Sequence, residues 1–137
     1  MLVVDTCVII DIADADPTYG TLSAQCLEAH LNQGLTISPI SYVELAPVFD
    51  NSTRLLDEFL DGVGIEKNEQ FSIADRYVAF NAWARHIIAK RTKVTHKRPV
   101  ADALIGALAI RLDGIITRNG NDFRSFYPKL LVIDPSH

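Results

Sequence analysis

Four acidic residues fall at positions from which they could do chemistry together. Asp5 ends a short apolar run, Glu44 follows the Ser38-Pro39 break, Asp102 lies three residues after Pro99, and Asp122 closes the stretch Thr117-Arg-Asn119-Gly-Asn-Asp122. Carboxylates crowded into one place repel unless a cation or a proton offsets them. Oxygen donors without Cys or His select hard cations, so Mg²⁺, or Mn²⁺ in its place, is the expected cofactor. Such an ion lowers the pKa of a bound water and stabilises the leaving oxygen in phosphodiester hydrolysis. No Ser, Cys or His nucleophile is then needed. Each acid also has a bland use: Asp5 as the cap of a helix starting at Thr6, Glu44 as an exposed helix residue, Asp102 as a charge for a helix dipole, Asp122 as the cap of a short helix.

Residues so far apart in the chain can meet only if the fold gathers them. Leu2-Val3-Val4 reads as a strand buried on both faces, and Leu35 to Ser38, Val63 to Glu66, Ile115 to Thr117 and Leu130 to Ile133 read as further short strands. Helical periodicity follows each: through Val8, Ile9 and Ile12; through Leu22, Cys26, Leu27 and Leu31 up to Gly34; and from Pro39 through Glu44. A further helix is capped by Ser52 or Thr53 and ended by Gly62. A long amphipathic helix runs from Ser72 to about Lys93, with Ile73, Tyr77, Phe80, Trp83, Ala84, Ile87 and Ile88 on its apolar face, and another from Pro99 to Gly114. Strands alternating with helices imply an α/β fold: a central, mostly parallel sheet of four to five short strands with helices on both faces. Residues 1–137 are expected to form one domain. In such sheets functional groups collect beyond the carboxyl ends of the strands, where Asp5, Glu44, Asp102 and the 117–122 segment would all lie.

The net charge of −4 argues against a nucleic-acid partner only as an average. Arg85, Lys90, Arg91, Lys93, Lys97 and Arg98 concentrate six of the thirteen Lys and Arg residues just ahead of Asp102. A run of this kind is either a solvated helix end or a phosphate-contacting rim. Arg118 is a second phosphate candidate. Cys7 and Cys26 are too few to staple the domain, lack zinc-ligand spacing, and are read as small buried apolar residues. No apolar run approaches the roughly 20 residues of a membrane span, and the amino terminus lacks the features of a signal peptide, so a soluble cytoplasmic protein without a membrane partner is expected.

Four segments together resemble bacterial PIN-domain proteins of the VapC toxin type: Val-Val-Asp5-Thr6-Cys7-Val-Ile-Ile-Asp11, Ser41-Tyr-Val-Glu44-Leu, Pro99-Val-Ala-Asp102-Ala-Leu-Ile-Gly-Ala-Leu-Ala, and Thr117-Arg-Asn119-Gly-Asn-Asp122-Phe123. The resemblance implies a PIN-like fold and a Mg²⁺- or Mn²⁺-dependent ribonuclease with Asp5 and Asp102 as direct metal ligands. Glu44 would be the next acid, with the last supplied by the 117–122 loop. Asn119 stands where many relatives carry Asp, which moves that acid to Asp122. Thr6 matches a small hydroxyl residue that follows the first Asp; with Thr117, Arg118, Asn119, Lys97 and Arg98 it makes up the expected nucleic-acid-binding set. An RNA substrate, a cognate antitoxin and a homodimer are the implied partners. A phosphatase of the haloacid dehalogenase type would need an Asp at position 7, where Cys7 stands. The reading from another class is a PIN-fold module that binds RNA or protein without catalysis.

Overall fold

The computed structural model describes residues 1–90 and 99–137, with the side chains of Ala89 and Lys90 also left aside. Among the described residues five short strands, β1 (Leu2–Val4), β2 (Leu35–Thr36), β3 (Ile65–Glu66), β4 (Ile115–Ile116) and β5 (Val132–Ile133), form one sheet in the order β3-β2-β1-β4-β5. Every pairing is parallel. The helices are α1 (Thr6–Ala13), α2 (Gly20–Ala29), α3 (Pro39–Glu44), α4 (Thr53–Val63), α5 (Ile73–Lys90), α6 (Pro99–Arg111) and α7 (Gly120–Phe126). Among the described residues no helix is long and apolar enough to cross a membrane.

Alternation along the strands divides the core into two layers. Val3 and Ile115 pack with Ala82, Ile105, Leu108 and Phe123, from α5, α6 and α7. Leu2, Val4 and Ile116 pack on the other face with Val8, Ile9, Leu27, Leu56 and Leu60, from α1, α2 and α4. Burial on both faces is why these strands are continuous apolar runs rather than alternating ones.

Helix ends follow local chemistry. Ser38 caps α3 by accepting the Ser41 N–H at 3.0 Å, with Pro39 in the first turn. Ser52 caps α4 by accepting the Leu55 N–H at 3.2 Å. That helix passes Gly62, which sequence alone makes its end, and stops at Gly64, whose φ of 79° suits the left-handed cap. The extra residues let Val63 pack against the core. Gly106 on α6 is set by close approach instead. A Cβ there would come within 2.5 Å of the Tyr127 ring, whose hydroxyl donates to the Ala103 carbonyl at 2.6 Å.

The long helix departs from its expected orientation. Asp75, Ala79, Ala82 and His86 face inward, Trp83 and Ile87 are half-buried, and Ile73, Tyr77, Phe80 and Ile88 stand exposed. The α5–α6 contact is lined by small residues such as Ala79, Ala82, Ala103 and Ala107, which lets the helices lie close and leaves bulky side chains outside. Phe59 and Phe71 are half-buried against the core clusters.

Candidate active site

The chain leaves β1 toward β2 on one side and leaves β4 toward β5 on the other. Connections that diverge from neighbouring parallel strands open a crevice at their carboxyl ends. Asp5 follows β1 and the 117–122 segment follows β4, so both sit at this point.

Asp5 is fully buried. Its Oδ1 accepts the Thr6 N–H at 2.8 Å, giving α1 its cap. Its Oδ2 accepts the Thr117 hydroxyl at 2.7 Å. That hydroxyl in turn accepts the Asn119 N–H at 3.0 Å, which fixes the direction of its proton. Capping and site membership are therefore compatible roles for one carboxylate.

Glu44 joins through the residue next to Asp5. Thr6 Oγ1 lies 2.8 Å from Glu44 Oε1 and 2.8 Å from the Ser41 hydroxyl. Thr6 has one proton and a carboxylate only accepts, so Thr6 donates to Glu44 and receives from Ser41. Ser38 Oγ, 3.3 Å from Ser41 Oγ, extends the chain of hydroxyls inward. Ser41 and Glu44 share a face of α3 by their spacing of three. Ser41 was part of the motif read from sequence, yet its function there was not; the same-face spacing was the available signal.

Asp102 lies in the first turn of α6 and is buried. α6 packs on β1 and leads into β4, so its first turn lies toward the carboxyl edge. Asp122 is half-buried in the first turn of α7 and is not its cap; Asn119 holds that position, without a side-chain capping bond. The four acids thus share one end of the sheet, and Thr6 joins two of them, its N–H donating to Asp5 and its hydroxyl to Glu44. Among the described residues no three of His, Cys, Asp or Glu stand close enough together to hold a metal ion. Of the four acids, Asp5 and Glu44 are directed onto hydroxyls, those of Thr117 and Thr6.

Thr6 and Thr117 are themselves buried and hold the acids. Asn119 is exposed, and with Arg118, Asp122, Arg124 and His137 it lines a polar cleft of about 430 Å³. Arg118 is engaged by Asp11, whose Oδ2 and Oδ1 accept its Nε and Nη2 at 2.7 and 2.9 Å. Lys97, Arg98 and the rest of the basic run, with the Lys90 side chain, lie outside the described residues; Arg85 is exposed. Cys7 and Cys26 are half-buried free thiols. Cys7 Sγ is 3.5 Å from Asp5 Oδ2, and burial, reinforced by the Asp5 charge, pushes its thiol up to about 12.

Residues 2–127 match the PIN domain family. The chain belongs to that family. A search of curated proteins found no match. Among solved structures this PIN domain is similar to FitAcB from Neisseria gonorrhoeae, with a TM-score of 0.68 and 18% identity, covering 100% of this chain and 99% of that one. It is also similar to VapBC2 from Rickettsia felis bound to a DNA fragment from their promoter, with a TM-score of 0.69 and 19% identity over 97% of each chain. A structure of FitAB bound to an IR36 DNA fragment gives a TM-score of 0.68 at 16% identity, covering 100% of this chain and 96% of that one. At such identities the likeness speaks for the PIN fold.

Proposed function

We propose that this PIN domain is a metal-dependent endoribonuclease and the toxin of a toxin–antitoxin pair. The observation that carries the reading is the linkage of Asp5 and Glu44 through Thr6 at the crevice between β1 and β4, where Thr117 also reaches Asp5. Hard oxygen donors fit Mg²⁺ or Mn²⁺ in kind, and Mg²⁺ is commonly held by one or two carboxylates, with waters and substrate phosphate completing its shell. Asp5 and Asp102 would hold the ion. When bound, it supplies a water of lowered pKa and positive charge beside the scissile phosphate. Thr117 and the Thr6 N–H fix the Asp5 carboxylate, Thr6 holds Glu44 to accept the attacking water's proton, and Asp122 completes the acidic rim. Asn119, Lys97 and Arg98 contact the RNA backbone.

Two partners accompany this reading. Similar folds occur in VapBC2 and FitAB assemblies, which supports a cognate antitoxin. A groove of about 420 Å³ between α2 and α4, lined by Ile12, Leu27, Leu31 and Val63, suits an apolar partner segment. The exposed stripe of α5 suits a homodimer.

Incubating the purified chain with single-stranded and structured RNAs, with Mg²⁺, Mn²⁺ or chelator, tests the activity. Internal cleavage that requires the metal is the expected result. Binding without cleavage in every condition would favour the non-catalytic module instead.

A further inference from the structure

Asp11 is a buried carboxylate near the end of α1, the helix whose amino end is capped by Asp5. The two bonds from Arg118 approach it in bidentate fashion, and Ser23 Oγ on α2 adds a third at 3.2 Å. The Arg118 guanidinium carbon lies 4.0 Å from the centre of the Tyr19 ring. Tyr19 is held in turn, its N–H donating to Asp16 Oδ1 at 2.8 Å. An arginine placed to bind phosphate would keep its donors toward the cleft. Here both an edge and a face of the guanidinium are committed to α1 and α2.

The residue before Arg118 is Thr117, whose hydroxyl meets Asp5. Consecutive residues of the β4 loop are therefore fastened to two points of one helix, Thr117 at Asp5 and Arg118 at Asp11. Cys7 Sγ lies between them, 3.8 Å from the Thr117 hydroxyl. Freeing either anchor lets the loop turn about the other and moves the Thr117 hydroxyl that donates to Asp5, together with the Asn119 N–H that donates to Thr117.

We infer that Arg118 and Asp11 are positioning residues that hold the Thr117 hydroxyl, and through it the Asp5 carboxylate, in its working orientation. The inference rests on the nuclease reading above. It assigns Arg118 to the scaffold of the site and not to the RNA.

The test compares Arg118→Gln, Arg118→Lys, Asp11→Asn and the Arg118→Gln/Asp11→Asn double variant with wild type. Arg111→Gln, which breaks a similar pair at the other end of the sheet, is the control. On an RNA oligonucleotide with saturating Mg²⁺, each single variant should lose about 10- to 100-fold in kcat with KM little changed, and the double should be no worse than the poorer single. Lys should not rescue, because it keeps the charge but lacks the fork. The slope of log RNA affinity against log salt in chelator should equal that of wild type. In metal-free protein, the Asn119 amide should exchange with solvent about tenfold faster in each variant and unchanged in the control.

A slope reduced by about 0.7 in Arg118→Gln but not in Asp11→Asn would make Arg118 a phosphate contact and overturn the proposal. So would unaltered Asn119 protection, or a kcat unchanged while stability falls as in the control. Asp11→Asn preserves shape and decides the matter if an Arg118 variant fails to fold. Absence of metal-dependent cleavage by wild type would defeat the nuclease reading, whereas the exchange measurement decides the clamp separately.

Discussion

At the amino end of the sheet, Arg111 closes α6 and reaches back to the first turn of α5. Its Nε donates to Asp75 Oδ1 at 2.9 Å, and its Nη2 donates to Asp75 Oδ2 and the Gln70 carbonyl, each at 3.0 Å. At the carboxyl end, Arg118 reaches Asp11 with nearly the same geometry. Both carboxylates are buried and both arginines are partly exposed. What differs is the neighbour. The residue beside Arg118 bonds to Asp5, whereas the surroundings of Arg111 are Glu69, Gln70 and the ends of two helices. One fork with one kind of partner can thus fasten a scaffold or aim a reactive group, and the adjoining residues decide which.

The largest expected effect lies at the carboxyl end. Asp5→Asn keeps the shape of the cap but removes the charge of a proposed metal ligand, and should lower RNA cleavage at least about a hundredfold, roughly 2.7 kcal/mol of barrier. Its melting temperature should move by only a few degrees, since the amide carbonyl can still accept a bond. Turnover comparable to wild type in the purified variant would dissolve the distinction between the two ends.

At the amino end the loss should appear in stability and not in turnover. Arg111→Gln gives up charge-assisted bonds to a buried acid at a cost of about 2 kcal/mol, toward the low side of such bonds because the guanidinium is one-third exposed. Denaturant titration reads this as a lower midpoint at constant slope, and kcat should stay at the wild-type value. A fall in kcat matching that of Arg118→Gln would mean both pairs serve the site.

The same pair should be visible in the acid limb of the stability curve. Burial pushes the Asp75 carboxyl up, but the bonds from Arg111 and from the Ser72 N–H outweigh it and hold it below its ordinary value. A carboxyl depressed in the folded state contributes stability that is complete above its unfolded pKa, roughly 3.9, and is lost as pH falls through the folded one. Urea titrations between about pH 3 and 6 should show wild type weakening toward the acid end, with a flatter decline in Arg111→Gln. Parallel curves would show that Asp75 is not the titrating group.

Sequence made the carboxyl end more legible than the amino end, for a physical reason. Strands buried on both faces must be apolar runs, so β1 and β4 announce themselves, and the polar residues that end them mark the crevice. Asp5, Thr117 and Asn119 could be placed this way. Arg118–Asp11 could not, because a contact spanning 107 residues leaves no local pattern. The facing of α5 was hidden for another reason. Its apolar residues run round more than one side, and only close packing through alanines on α6 decides which side turns in. The placing of the acids toward one end of the sheet was legible, but the direction of Asp5 and Glu44 onto Thr117 and Thr6 is a matter of rotamers that spacing does not encode.

The smallest effect on the single chain, and the last way to separate the two ends, concerns the outer face of α5. Asp75 pins the first turn of this helix from within, and Ile73, Tyr77, Phe80 and Ile88 follow one another on the outside at helical spacing. Phe80 is 69% exposed, so replacing it with Ser removes little core packing and should alter the stability of one chain by no more than about 0.5 kcal/mol. If a second copy covers this stripe, the ring becomes a buried anchor. Its loss should then weaken self-association by roughly 2 kcal/mol, close to thirtyfold in the dimer dissociation constant. Sedimentation at concentrations from about one to a hundred micromolar would show this as a shift toward monomer, with the melting midpoint at low concentration unmoved. Arg111→Gln, by loosening the turn beneath Ile73, should weaken association as well, and Arg118→Gln should not. Equal dimer affinity in wild type and Phe80→Ser would remove the stripe from the interface, leaving the amino-end pair as a tie between helices and nothing more.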